Sequence, residues 1–122
     1  MIMNKTEEFE LLLEKLENRE FSSFRVLIQE QNSVDIAEFI ESLPKEQIVM
    51  AMRLLPKDMS VEVFSEFETD MQEELILQIT EKEIDHILTE MYVDDLVDML
   101  EELPASMVVD VLDRADPSYR EM

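Results

Sequence analysis

The sequence predicts an all-α fold, a superhelical, solenoid-like stack of about nine short helices. Apolar residues recur at spacings of three and four through most of the 122 residues, and no stretch alternates for long with a period of two. Residues 35–44, DIAEFIESLP, return in similar form at residues 95–104, DLVDMLEELP. Acid matches acid, apolar matches apolar, and Leu-Pro closes both copies. A recurring helix–Leu-Pro–helix unit is typical of stacked helical pairs, in the manner of armadillo-type repeats.

The first two helices are predicted over residues 5–17 and 20–31, each with one apolar stripe. Together they resemble a hairpin that starts or caps the stack. The third helix then begins after Asn32 or Ser33, because either side chain can accept from the free N–H groups of a helix start.

The next two helices are punctuated by prolines. Pro44 suits the first turn of the fourth helix, where its missing N–H has no cost. That helix stops near Pro56, and a short helix follows over residues 60–67. Joints of two to four residues are therefore expected, with packing rather than length holding each short helix.

The second half of the chain contains two predicted capping boxes. In such a box, a Ser or Thr and a Glu or Gln three residues later satisfy each other's backbone N–H groups. Thr69 with Gln72 and Thr80 with Glu83 have this spacing. Each pair predicts a helix start, and the last two helices are predicted over residues 93–103 and 104–115.

The composition excludes several kinds of site. The chain has no cysteine, so it holds neither disulfides nor thiolate metal ligands. It has no glycine, which dinucleotide-binding fingerprints, phosphate-binding P-loops and EF-hand loops require. No apolar run approaches 18 residues, and the first ten residues lack the apolar core of a secretory signal. Direct insertion of this chain into a membrane is therefore not expected.

Acidic residues dominate the charge, which is −21 at pH 7. Residues 61–122 hold 19 of the 31 acidic residues and only 3 of the 10 basic ones. Such a surface repels nucleic acid and anionic membranes, so neither is an expected partner. Most of these acids are expected to form a solvated surface. Because one sign of charge in a compact domain is self-repelling, a functional role for the acidic half is the alternative.

Catalysis finds little support in the sequence. His86 is the single histidine, and Glu83 with His86 has the spacing of one arm of a carboxylate-bridged di-iron site. Such sites need two arms and two further glutamates, so His86 is interpreted as a partly exposed helix residue. No nucleophile constellation is recognisable, and we predict that the chain is not an enzyme.

Asp94, Asp95 and Asp98 form the acidic cluster of the repeated segment. Residues three and four apart are neighbours on a helix surface, so these carboxylates repel one another. A divalent cation turns that repulsion into attraction, and Mg²⁺ in particular often contacts only one or two carboxylates while keeping several waters. The alternative is that Asp94 and Asp95 simply complement the positive end of the helix dipole.

Four segments together resemble the cytosolic N domain of the MgtE family of magnesium channels. They are residues 35–44 (DIAEFIESLP), 53–56 (RLLP), 61–64 (VEVF) and 93–104 (VDDLVDMLEELP), in this order. The resemblance implies that residues 1–116 are an MgtE-type helical-repeat domain. It also implies that residues 117–122 begin a linker to a following domain that this chain does not contain.

The resemblance implies a function for the acidic residues. In that family, Mg²⁺ bridges acids of the N domain to the adjacent CBS domains of the same protein, and the pore closes. The matching positions here are Glu62, Asp94 and Asp98, with Asp95 as a neighbour. The full-length protein is then expected to be a homodimer, with this domain at the cytoplasmic face of the cell membrane.

A second function from another class remains open. Flagellar motor-switch proteins carry similar armadillo-like repeats with Leu-Pro joints, and they act as scaffolds. Such a scaffold would bind partners without Mg²⁺. It would tolerate neutralisation of Asp94 and Asp98, whereas an Mg²⁺ sensor would not.

Overall fold

A computed structural model of the chain describes residues 4–78 and 81–115. All regular secondary structure in these ranges is α-helical, which confirms the predicted class. The helices are α1 (Lys5–Glu17), α2 (Phe21–Ile28), α3 (Ser33–Glu41), α4 (Lys45–Leu54), α5 (Lys57–Glu66), α6 (Thr69–Gln78), α7 (Glu81–Glu90), α8 (Val93–Glu102) and α9 (Ala105–Ala115).

The odd-numbered helices from α3 onward form a continuous row. α3 packs on α5, α5 on α7, and α7 on α9. From α3 onward, consecutive helices contact less extensively, although α3 also touches α4. The predicted stack is therefore present, but its densest packing joins helices two apart rather than the members of each successive pair.

The α1–α2 hairpin caps this row at α3, as the sequence predicts. The ring of Phe39 on α3 lies 5.3 Å from that of Phe9 and 6.2 Å from that of Phe24, centroid to centroid. Lys5 on α1 forms ion pairs with Glu38 and Asp35, and hydrogen bonds to these carboxylates raise the pKa of Lys5. Apolar contact inside and ion pairs outside thus join the hairpin to the row.

One apolar core runs through the described part of the chain. Phe24, Phe39 and Phe64 are its largest fully buried side chains. Met52 and Met99 are also buried, where the flexible methionine side chain fills gaps between the helices. Each short helix therefore owes its stability to neighbours.

The joints between helices explain how a chain without glycine turns so often. Leu55, Phe67 and Leu103 each follow a helix with an extended backbone, at ψ of 144°, 151° and 152°, and each side chain is buried. Pro44 and Pro56 are the N-caps of the helices that follow them, each with ψ of 148°. The expectation that Pro44 lies in the first helical turn is therefore wrong by one residue, because that ψ is not helical.

Two helix boundaries differ from the predicted ones by three residues each. α2 ends at Ile28 rather than at residue 31, because residues 29–32 form the joint and the Asn32 side chain accepts from the N–H of Asp35 at 2.8 Å. α5 begins three residues before the predicted residue 60, because the N–H of Ser60 already donates to the carbonyl of Pro56 at 2.9 Å.

The first predicted capping box is wrong. Thr69 is the first residue of α6, and its hydroxyl donates to Glu102 on α8. The amide of Gln72 donates to the carbonyl of Phe64 at 3.0 Å in the buried interior. Both side chains bond to other helices instead of capping the start of α6. The second box involves Thr80, and the predicted linker covers residues 117–122, all outside the described residues.

Candidate functional site

The acidic cluster lies at the start of α8, where the helix presents one face to solvent. Leu96 and Met99 are buried and hold α8 on the core. Asp94 and Asp98 are exposed, whereas Asp95 is half-buried. Because Asp94 and Asp98 are four residues apart, their carboxylates are neighbours on the exposed face.

Exposed apolar side chains lie beside these acids. Val93 is 59% exposed and Val97 is 45% exposed, also four residues apart on α8. Tyr92, which precedes the helix as its N-cap, is 73% exposed and makes no side-chain capping bond. The acidic face of α8, defined by Asp94 and Asp98 with Val93 and Val97, thus combines charge with apolar surface.

The carboxylates of the acidic cluster have no cation of their own in the part of the chain described here. Five basic residues form ion pairs with acids elsewhere, and none of those acids belongs to the cluster. The pairs are Lys5 with Asp35 and Glu38, Lys15 with Glu20, Lys45 with Glu74, Arg53 with Glu83, and Arg114 with Asp110. The repulsion within the cluster is therefore not offset by a described ion pair.

Glu62 lies apart from the aspartates in the chain, on α5, and is exposed. Within residues 4–78 and 81–115, no three His, Asp or Glu side chains are grouped so that they could hold one metal ion. The assignment of Glu62, Asp94, Asp95 and Asp98 as ligands stays a prediction. A metal ion bound by these carboxylates would need further oxygen ligands from water or from a second surface.

The residues Glu83 and His86 do not behave as an arm of a di-iron site. Both carboxylate oxygens of Glu83 lie 3.1 Å from Nε of Arg53, across from α7 to α4. His86 is half-buried, in agreement with its interpretation as a partly exposed helix residue. Both line a cavity of about 430 Å³ that the sequence did not predict. Its basic side chains come from three helices, and only the packing brings them together.

Comparison with known families identifies the fold. Residues 31–122 match the family model of the MgtE intracellular N domain. The chain belongs to this family. The match begins within the joint before α3, so it contains the whole odd-helix row and the acidic cluster.

A solved structure extends the similarity. The crystal structure of the soluble part of a magnesium transporter superposes on the chain with a TM-score of 0.81 and 25% sequence identity. The alignment covers 94% of this chain and 46% of the other, so the MgtE N domain described here spans about half of that solved chain. At that coverage, the α1–α2 hairpin is part of the shared fold. Comparison with curated protein sequences finds no significant match.

Two further observations bear on the identity. The family is one of transporter domains and not of enzymes. Among the described helices, none combines the length and the apolar character that crossing a bilayer would require. The membership thus agrees with the expected class, an intracellular domain of a magnesium transporter family.

Proposed function

We propose that this chain is the cytosolic Mg²⁺-sensing regulatory domain of a magnesium channel or transporter. In this proposal, Mg²⁺ bridges the acidic face of α8, together with Glu62, to adjacent CBS domains of the same protein and favours the closed pore. The full-length protein would be a homodimer at the cytoplasmic face of the membrane. Family membership supports the proposal, as does the likeness to about half of a transporter's soluble part.

The observation that carries the proposal is the exposure of Asp94 and Asp98 without a described ion pair. Two carboxylates ~6 Å apart repel by roughly 0.7–3 kcal/mol, depending on an effective dielectric constant between 80 and 20. These oxygen ligands suit a hard cation, and Mg²⁺ needs only one or two of them when waters complete its shell. A second acidic surface brought against α8 would raise the repulsion further, and a bridging ion would remove it.

The regulatory step follows as a shift between two states. The compact state, with α8 against its partner, binds Mg²⁺ between the two acidic surfaces. The open state leaves the carboxylates in water. Because the ion binds the compact state more tightly, rising Mg²⁺ increases its population, and falling Mg²⁺ lets the like charges separate the domains.

A scaffold that works without Mg²⁺ is the second candidate. The exposed side chains of Tyr92, Val93 and Val97 favour it, since an exposed apolar patch can bind a partner by burial alone. The two functions differ in one respect that can be measured. Docking through this apolar patch persists when the aspartates are neutralised, whereas docking through a bridging Mg²⁺ weakens.

The decisive experiment is a two-dimensional NMR titration with MgCl₂ at constant ionic strength. It uses this chain alone and then a protein that also contains the CBS domains. We expect shifts confined to the amides near Glu62 and residues 94–98, much stronger when the partner is present. The variant with Asp94→Asn and Asp98→Asn should lose them.

A matched control is the variant with Glu10→Gln and Glu14→Gln. These exposed residues are also four apart, on α1. The control should titrate as the parent does. Two results would reject the sensor and favour the scaffold. One is equal, diffuse shifts in the chain alone and in the protein with the CBS domains, and the other is unchanged Mg²⁺ dependence after Asp94→Asn and Asp98→Asn.

A further inference from the structure

The cavity of about 430 Å³ lies where three helices meet. Met52 and Arg53 come from the end of α4, and Leu55 from the joint that follows it. Lys57 begins α5, and Lys82 lies in the first turn of α7. We call this space the basic cavity.

The charge of the basic cavity is opposite to that of the chain. Arg53, Lys57 and Lys82 line it, and Glu83 is the one carboxylate among the lining residues. Glu83 is bound to Arg53, so the two lysines give the lining a net positive charge. The whole chain carries −21. A positive concavity in such a molecule is a specific local feature rather than a consequence of composition.

The two lysines are available to a ligand. Neither Lys57 nor Lys82 forms an ion pair with any residue described here, although acidic residues outnumber basic ones by 31 to 10. Each also lies in the first turn of a ten-residue helix, where the helix dipole favours an anion. His86 faces the same space as a further polar side chain.

The rest of the lining is apolar. Met52, Leu55 and Ile87 are buried residues of the core that reach the cavity wall. Small-molecule sites in proteins are typically concave, about 300–1,000 Å³ in volume and mostly apolar, with a few polar groups that fix orientation. The basic cavity has these properties.

We propose that the basic cavity binds a small organic anion, with an apolar body and a phosphate or carboxylate head. The head would lie between Lys57 and Lys82, beside Arg53, and the body against Met52, Leu55 and Ile87. A bare inorganic ion would leave most of the volume and the apolar wall unused. The site is on other helices than the acidic cluster and has the opposite charge, so it stands whether or not the chain senses Mg²⁺.

The test is an NMR titration of the 122-residue chain with phenyl phosphate, in the absence of Mg²⁺. We expect saturable shifts of the amides near residues 53–57 and 82–87. The variant with Lys57→Gln and Lys82→Gln should bind about tenfold more weakly or worse, because two charge-assisted contacts are lost. Arg25→Gln is the matched control, since Arg25 is exposed on α2, away from the cavity, and forms no ion pair with the described residues.

Two comparison ligands separate the contributions of head and body. Phenol lacks the charge and inorganic phosphate lacks the apolar body, so both should bind more weakly than phenyl phosphate. Equal binding of inorganic phosphate would overturn the proposal in favour of simple counterion association. Absence of saturable binding, or equal affinity in the lysine double variant, would also overturn it. Circular dichroism of each variant establishes that it has folded.

Discussion

Arg19 is the single described residue with a positive φ, 58°, and it stands where most proteins use glycine. It follows α1 in a Schellman arrangement. The N–H of Glu20 donates to the carbonyl of Lys15 at 2.9 Å, and the N–H of Arg19 donates to the carbonyl of Leu16 at 3.2 Å. A side chain with a Cβ is strained in this conformation by roughly 1–2 kcal/mol. The absence of glycine therefore has a local cost at this turn.

Arg19→Gly should relieve that strain. Part of the gain is offset because glycine increases the entropy of the unfolded chain, which leaves about 0.5–1 kcal/mol of added stability. Urea denaturation measures the difference. Asn18→Gly is the control, because Asn18 has φ of −83° and gains nothing from glycine. If Arg19→Gly destabilises the domain as much as Asn18→Gly does, the strain is absent.

Asp98 and Asp94 differ in their effect on the stability of α8. Asp94 lies in the first turn, where the helix dipole favours an acid, but Asp98 lies one turn further and gains little from it. Asp98→Asn removes repulsion with Asp94 and should stabilise the isolated domain by roughly 0.2–0.5 kcal/mol. Asp94→Asn should give a smaller gain or a loss.

Thermal denaturation at low ionic strength compares these two single variants. A destabilised Asp98→Asn would show that its carboxylate takes part in a favourable contact. Mg²⁺ should narrow the difference in melting temperature between the parent and Asp98→Asn only when the partner surface is present.

At the scale of the helix, the buried residue of each joint packs in the core and stabilises the helices on either side. Leu103 is 7% exposed, and its extended backbone ends α8 just before Pro104. Leu103→Ala should cost about 2–5 kcal/mol, because it removes buried methyl groups and leaves a cavity. Leu77→Ala on α6 is the matched control, since Leu77 is 76% exposed and should change stability by less than about 0.5 kcal/mol. Equal effects in urea denaturation would contradict the assigned packing.

The repeat and the Leu-Pro joints made the helices predictable from sequence. The bounds of α1 follow directly from its apolar stripe, and those of α8 lie within one residue of the prediction. Gln72 shows why other features could not be predicted. A sequence pattern describes neighbours along one helix, whereas the Gln72 amide reaches the Phe64 carbonyl on another. The spacing of a capping box was present, but the buried acceptor proved the better partner.

The same reasoning separates the two sites. Asp94 and Asp98 are close in sequence, so their shared exposed face on α8 could be predicted. Lys57 and Lys82 lie on different helices and line the same cavity because α5 packs on α7. That register depends on how all the side chains of the row fill space, which periodicity does not specify.

For the whole molecule, the net charge of −21 is a source of instability. Raising NaCl from about 0.01 M to about 0.1 M shortens the Debye length from ~30 Å to ~10 Å and screens this repulsion. The urea midpoint should rise accordingly. Choline chloride should act equally, because the effect is screening and not specific binding of Na⁺. A midpoint that falls with salt would mean that the surface ion pairs outweigh the repulsion.

The row from α3 to α9 also has a consequence for how the domain opens. Since α5 and α7 have a row neighbour on each side while α9 has one, local unfolding costs least at the α9 end. Amide hydrogen exchange should therefore be slowest in α5 and become faster from α7 to α9. The acidic face of α8 would then belong to the segment of the molecule that fluctuates most readily, and a partner that binds there would slow exchange from the end inward.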